Sequence, residues 1–156
     1  MELNILNKKE KENFLKRLNY QFGITDINGE IIQIGKERFY LFQGKYSKED
    51  LFKLKGILKI DKIGVYFGKE FEPTSEFRLS IEGTQLLKNQ IKKRIIEINE
   101  EQMTSWMSGN ELDIKTNEKG IVVIKHQDYF LGCGKASEEK ITNFIPKMRR
   151  LKNKGN

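Results

Sequence analysis

Clustered cations are the residues of this chain whose types and spacing most clearly suggest chemistry, and that chemistry is neutralisation of a polyanion. Residues 135 to 156 carry Lys135, Lys140, Lys147, Arg149, Arg150, Lys152 and Lys154 against two acids, Glu138 and Glu139, a local balance of +5. Residues 88 to 94 add Lys88, Lys92, Lys93 and Arg94 with no acid. These stretches sum to +9 in a chain of net charge +7, so the remainder is slightly acidic at −2. Binding to phosphates requires cations gathered in one place, whereas a solubilising surface spreads both signs evenly. Arg149 and Arg150 offer planar donor forks suited to phosphate, and the lysines act as movable point charges.

Catalytic groups are scarce by comparison. The chain has one cysteine, Cys133, and one histidine, His126. Together they exclude an internal disulfide and a Cys/His zinc site within one chain. Cys133 lies between Gly132 and Gly134 late in an apolar run, where a small residue more often marks close packing than a nucleophile. His126 ends an apolar stretch beside a turn, a position for a surface or hydrogen-bonding residue more than for a general base. The acid pairs Glu100-Glu101 and Glu138-Glu139 read as charges at helix N-termini. No GxGxxG or P-loop follows a strand, so no nucleotide or S-adenosylmethionine cradle is expected. The expectation is a protein without catalytic residues, metal or cofactor.

The elements that must position these residues follow from periodicity. The first twenty or so residues read as a helix with Phe14, Leu15, Leu18 and Phe22 on one face, ended by Gly23. Glu30 to Ile34 and Arg38 to Gln43 form a strand pair with Gly35-Lys36 as a two-residue hairpin turn. Ser47 and Asp50 cap a short helix with Leu51, Phe52 and Leu54, stopped by Gly56. A β-rich passage (Ile63, Val65 and Phe67 on one face) leads to a break at Phe71-Glu72-Pro73-Thr74 and then to an ordered stretch from Phe77 to Leu87. Beyond the basic run, Arg94 to Ile98 is a strand and Asn99 caps a helix, Glu100 to Ser108, stopped by Gly109, whose Met103, Trp106 and Met107 face a core. Ile121 to His126, Tyr129 to Gly134 and Lys140 to Ile145 complete a small barrel or sandwich, the first two joined across Gln127-Asp128. Trp106 reads as core, and Phe144 and Tyr129 more as core than as base-stacking platforms. The fold class is α+β, divided near residue 88 where the composition turns basic. No apolar run approaches the roughly 20 residues of a membrane span, and with no signal-like N-terminus a cytoplasmic protein is expected.

Four segments carry a family resemblance: Glu97 to Leu112 (EINEEQMTSWMSGNEL), Gly120 to Lys125 (GIVVIK), Tyr129 to Lys135 (YFLGCGK) and Asn143 to Arg150 (NFIPKMRR). They resemble a PUA-like domain, most similar to the C-terminal domain of Sun/Fmu-type RNA cytosine-5 methyltransferases and to stand-alone archaeal relatives. Residues 1–87 resemble the pre-PUA α+β domain found ahead of PUA in such proteins and in a ribosome-assembly factor of the same layout. Where many PUA domains have a Pro-Gly-Val turn after the helix, this chain has the mixed-charge loop Asp113 to Lys119. The resemblance implies a pre-PUA-like domain over 1–87 and a PUA-like β pseudo-barrel over 88–156. It also implies an interface for structured RNA, such as rRNA or tRNA, made by Gly109, Lys125, Lys135, Lys147, Arg149 and Arg150. The basic run contributes Lys92, Lys93 and Arg94 on grounds of charge. Lys152 and Lys154, beyond the motif, are expected to add only diffuse attraction.

Three readings of function compete. The first is a non-catalytic RNA-binding protein serving as a targeting or adaptor subunit in RNA modification or ribosome assembly. The second is a protein-interaction module docking on a ribosomal protein or on a separate methyltransferase chain, which exposed aromatic or aliphatic surface within residues 38–67, found alongside a weakly basic PUA surface, would favour. The last is an RNA-modifying enzyme, which would need a concave pocket holding Cys133 or His126 beside an acid, a pattern the sequence does not supply.

Overall fold

The computed structural model describes residues 2–44, 47–57, 64–71 and 74–152. Its elements in chain order are β1 (Leu3–Ile5), α1 (Lys8–Phe22), β2 (Glu30–Ile34), β3 (Arg38–Phe42), α2 (Lys48–Ile57), β4 (Val65–Phe71), β5 (Glu76–Leu79), α3 (Ile81–Leu86), β6 (Ile95–Glu97), α4 (Glu100–Met107), β7 (Gly120–His126), β8 (Tyr129–Ala136) and β9 (Ile141–Asn143), followed by a 3₁₀ turn (Lys147–Arg149). Strands β1 to β5 form one antiparallel sheet in sequence order. Strands β6 to β9 form a second, in which β6 runs parallel to β7 and α4 lies on the connection between them.

Capping chemistry starts and stops the helices. The Asn7 side chain accepts from Glu10 N–H while Glu10 reaches back to Asn7 N–H, and Gly23 ends α1 with φ of 85°. That cap corrects the expectation that the chain opens as a helix. Residues 3–5 lie ahead of Asn7, and the alternation of Leu3 and Ile5 sets them in a strand opposite Ile34 and Ile32. Ser47 and Asp50 cap α2 as expected, but Gly56 lies within the helix. The β2–β3 turn has three residues, Gly35 to Glu37, rather than two, because Ile34 pairs directly with Arg38. The strands expected at 94–98 and 140–145 are shorter, Ile95–Glu97 and Ile141–Asn143. Glu100 and Glu101 occupy the first turn of α4, whereas Glu138 and Glu139 lie in the β8–β9 connection and not on a helix. Ile63, Glu72, Pro73 and Lys154 lie outside the described residues.

Three apolar clusters account for the packing. In the largest, Phe14, Leu18 and Phe22 of α1 meet Ile31, Phe39, Leu41, Phe67 and Phe77 of the first sheet together with Ile121, Val123, Phe130 and Cys133 of the second. Phe14 is at its centre, stacked on Phe39 at 4.9 Å and edge-on to Phe77 at 5.0 Å. The alternate residues of β7, Val122 and Ile124, turn to Trp106 and Leu112 in a second cluster. Strand β7 is thus covered on both faces, which is why it reads as the unbroken apolar run Ile121 to Ile124. A third cluster joins Leu3, Ile5, Ile32, Ile34 and Tyr40 to Leu51 of α2. The division near residue 88 falls in the turn after α3, where Leu87 and Ile91 are buried in the cluster that both sheets share.

Polar side chains complete the sheets where strand partners end. Gln21 of α1, itself buried, donates from Nε2 to Phe77 O at 3.0 Å and accepts from Phe77 N–H at 2.8 Å, satisfying the edge strand β5 as another strand would. On β8, where β9 does not reach, Gln85 donates to Phe130 O at 2.8 Å, Trp106 Nε1 to Leu131 O at 3.0 Å, and Gly132 N–H to Thr84 Oγ1 at 3.1 Å. Each is a buried or half-buried bond whose loss strands a main-chain group. Replacing Gln21 by Ala is expected to lower unfolding free energy by roughly 2–4 kcal/mol, from two lost bonds at a desolvated edge. Urea unfolding measures it; a loss below about 0.5 kcal/mol would show that water takes over both groups.

Candidate nucleic-acid interface

The C-terminal motif is locked onto the barrel before any of its cations is considered. Asn143 donates from Nδ2 to Trp106 O at 2.8 Å and Asn110 O at 2.9 Å, while its Oδ1 accepts from Ile145 N–H at 2.7 Å. It therefore ties the end of β9 to the C-terminus of α4. The chain then passes Pro146 into the 3₁₀ turn, and Leu151 N–H returns to Met107 O at 2.8 Å. Gly109, with φ of 95°, ends α4 where the Arg150 side chain crosses it, and a Cβ there would collide with the guanidinium. Arg150 Nε donates to Ile145 O at 3.0 Å. Gly109 is required both for its backbone conformation and for that close approach.

The basic residues singled out in the sequence divide into two kinds. Four have protein partners. Lys93 points its ammonium at the carbonyls of Asn19 and Tyr20, in the last turn of α1. Arg94, at φ of 59°, donates to Ile121 O at 2.7 Å and to Lys119 O, and lies 3.3 Å from Glu118. Arg149 pairs with Glu82 of α3, and Arg150 is held as described. The other four, Lys92, Lys125, Lys135 and Lys147, have no carboxylate partner among the described residues. Lys125 and Lys135 rest over the rings of Phe130 and Phe71, 5.4 and 5.2 Å from their centroids. Of the remaining cations in the basic C-terminal stretch, Lys140 faces Glu111 at 2.9 Å, and that carboxylate holds its pKa above the ordinary lysine range.

These residues do not form one patch. Arg94 and Lys135 both adjoin the start of β7, Arg94 through its bond to Ile121 O and Lys135 as the cross-strand partner of Ile121. Lys135 in turn reaches the C-terminal motif through Phe71, whose ring packs on Phe144 at 5.5 Å. Lys125 lies at the opposite end of the β7–β8 hairpin, next to Phe130 and the Gln127-Asp128 turn. Sequence reasoning missed Arg17, which bonds Glu70 and Ser75 O, and Arg78, whose guanidinium stacks 4.2 Å from the centre of the Phe144 ring. The alternation Phe77-Arg78-Leu79 is the signal that would have marked Arg78 as lying on the face opposite the core.

Of the reactive candidates, Cys133 lines a small cleft between the sheets together with Glu82, and His126 does not line it. Cys133 is buried in the largest cluster, and burial pushes its thiol up to about 12. The glycines flanking it are close-packing points: Gly134 faces Trp106 and Ile141, and Gly132, at φ of 82°, faces Ile81. His126 Nδ1 is 2.8 Å from Ile98 O. Trp106 is fully buried, Phe144 half-buried and Tyr129 exposed.

A small mixed-sheet barrel, with one helix across the parallel connection and a C-terminal motif anchored on that helix, defines a PUA-like pseudo-barrel, preceded here by an α+β sheet that shares its core. Residues 93–151 match the family model described as the methyltransferase RsmF PUA domain. This part of the chain is a PUA-like domain related to the C-terminal domains of Sun/Fmu-type methyltransferases. The whole chain has the fold of a conserved PUA domain protein from Thermoplasma acidophilum, with a TM-score of 0.57 at 11% identity, over 92% of this chain and 93% of that one. A PUA domain from Aeropyrum pernix K1, solved as a tartrate complex, superimposes with a TM-score of 0.53 at 12% identity, over 94% and 86%. No curated protein matches the sequence. No helix among the described residues is long and apolar enough to cross a membrane.

Two measurements test this arrangement. An unfolded Cys133 loses its proton near the ordinary thiol pKa of about 8.5, while the folded one keeps it up to about 12. Above the lower value the unfolded state binds fewer protons, so stability falls as pH rises through that window. Cys133→Ala should lack this component, so its stability deficit against wild type should shrink steadily above about pH 9; a deficit constant to pH 11 would show that the thiol ionises in place. Gly109→Ala should lower stability by at least about 1 kcal/mol, from the left-handed backbone and the displaced Arg150. A neutral result in a thermal melt would mean that the α4 terminus relaxes without cost.

Proposed function

We propose that this chain is a non-catalytic RNA-binding protein, cytoplasmic, that serves as a targeting or adaptor subunit in rRNA or tRNA modification or in ribosome assembly. The observation that carries this reading is the C-terminal motif, where a hydrogen-bonded scaffold holds cations at fixed positions beside α4. Lys147 stands on the 3₁₀ turn without a carboxylate partner among the described residues. Arg150 uses one of its five donors on Ile145 O, which leaves the others for phosphate. Arg149 shares an exposed pair with Glu82, which a phosphate can displace at little cost because exposed pairs contribute about 0–1 kcal/mol. Lys135 extends the surface across Phe71 and Phe144, and Lys92, Lys93, Arg94 and Lys125 are a second tier, the middle two positioned by protein carbonyls. The two-part layout, pre-PUA-like over 1–87 and PUA-like over 88–156, belongs to the same proposal.

A second reading, docking on a ribosomal protein or a separate methyltransferase chain, draws on Phe52 and Val65, which are 45% and 43% exposed within the stretch 38–67.

Affinity for folded RNA should fall steeply with salt, since each phosphate that the protein neutralises on a duplex steepens the slope of log K against log salt by about 0.9. Arg149→Ala with Arg150→Ala should weaken binding by about 1–3 kcal/mol for each ordered charged hydrogen bond at near-physiological salt, and deletion of residues 152–156 by much less. Melts of both variants are needed, because Arg150 also covers Gly109. A salt-independent affinity removes the electrostatic premise, and equal losses from the two changes would make the C-terminus a diffuse charge brush.

A further inference from the structure

Away from the C-terminal motif, the register of the first sheet sets three cations side by side. Arg38 on β3 lies opposite Lys69 on β4, and Lys69 lies opposite Arg78 on β5. Directly opposed residues share a face of a sheet, and neighbouring strands are about 4.8 Å apart, so the row spans roughly 10 Å. Its face is the one turned away from α1, because Arg38 alternates with Phe39, whose ring stacks on Phe14 of that helix. Like charges placed directly across strands oppose folding. Lys69 has Glu37 at 3.5 Å, but Arg38 and Arg78 have no carboxylate partner among the described residues.

The row opens onto a recess. Arg38, Tyr66, Lys69 and Arg78 line a shallow groove on the sheet face. Tyr66 and Arg78 also line an adjoining cleft of about 120 Å³ between the two sheets, together with Cys133, Phe144 and the ion-paired Glu82 and Arg149. Within it, the Arg78 guanidinium lies over the Phe144 ring, 4.2 Å from its centre. Cations on the open face and half-buried aromatic rings at the entrance to a narrow cleft form a continuous surface. A base pair within a duplex is stacked and cannot turn into such a recess, whereas a splayed, unpaired base can. Phosphate along the row and a base in the cleft is the combination by which single strands are held.

We propose that this groove binds an unpaired RNA segment adjoining the folded element held by the PUA-like domain, with phosphates on Arg38 and Lys69 and a base against Tyr66 and the outer face of the Arg78 guanidinium. This rests on the RNA-binding reading above and adds the class of RNA, a structured element with a single-stranded extension. It also gives the first sheet a direct part in recognition.

The test compares a blunt RNA hairpin with the same hairpin carrying a six-nucleotide single-stranded extension at either end, on wild-type protein and on Arg38→Ala/Lys69→Ala. Both substitutions are at the surface, and thermal melts check that the fold is kept. For wild type, one of the two extensions should raise affinity about tenfold, the scale of one stacked base with its phosphate contacts. The double variant should lose that gain while binding the blunt hairpin within twofold of wild type. If neither extension adds affinity to wild type, the groove proposal is overturned without any variant being needed. A gain that survives in the double variant, or an equal loss on blunt and extended RNA, also overturns it. Failure of wild type to bind any of the RNAs would instead remove the function proposed above, and this inference with it.

Discussion

The structure depends on the obligation of every buried main-chain group to find a partner. The first sheet ends at β5 and the second leaves part of β8 uncovered by β9, and both open edges face the shared interior. Little water reaches such groups, and leaving a buried one unpaired costs about 1–3 kcal/mol. The chain answers with side chains that imitate a strand: Gln21 on Phe77, Thr84 on Gly132, Gln85 on Phe130 and Trp106 on Leu131. These bonds constrain how α1, α3 and α4 dock, because α1 must bring both ends of the Gln21 amide to Phe77, α3 must bring Thr84 and Gln85 to β8, and α4 must bring Trp106 Nε1 to Leu131 O. The two sheets then have a single way to share the cluster around Phe14 and Phe130.

The same rule divides the cations. Arg94 commits its fork to Ile121 O, Lys119 O and nearby carboxylates, closing the entry to the second sheet, and Lys93 neutralises carbonyls at the end of α1. Charge counted in sequence is therefore not charge available to a ligand. Lys147, on its 3₁₀ turn, has no carboxylate partner among the described residues. Asn143 fixes the backbone ahead of that turn through three hydrogen bonds, so the first residue of the motif supports the ones that follow.

Much was legible in the sequence because it rests on local rules. The caps at Asn99 and Ser47, the stop at Gly23, the buried face of α4 around Trp106 and the apolar run of β7 depend only on neighbours a few residues away, and the Asn143 to Arg150 motif marked the PUA-like domain by its order alone. The strand at Leu3–Ile5 and the three-residue turn after Ile34 were not legible, because both are set by register against a strand roughly thirty residues distant or by the pairing of Ile34 with Arg38. Likewise, the amphipathic pattern of α1 gives no sign that Gln21 must be buried. By itself, then, the sequence determined most of the helices and strands, though not β1 or α3, and how much positive charge the chain carries. Only the tertiary structure decided which cations are already paired and that Arg38, Lys69 and Arg78 stand in one row, because alignment across strands depends on register and register depends on the packed core.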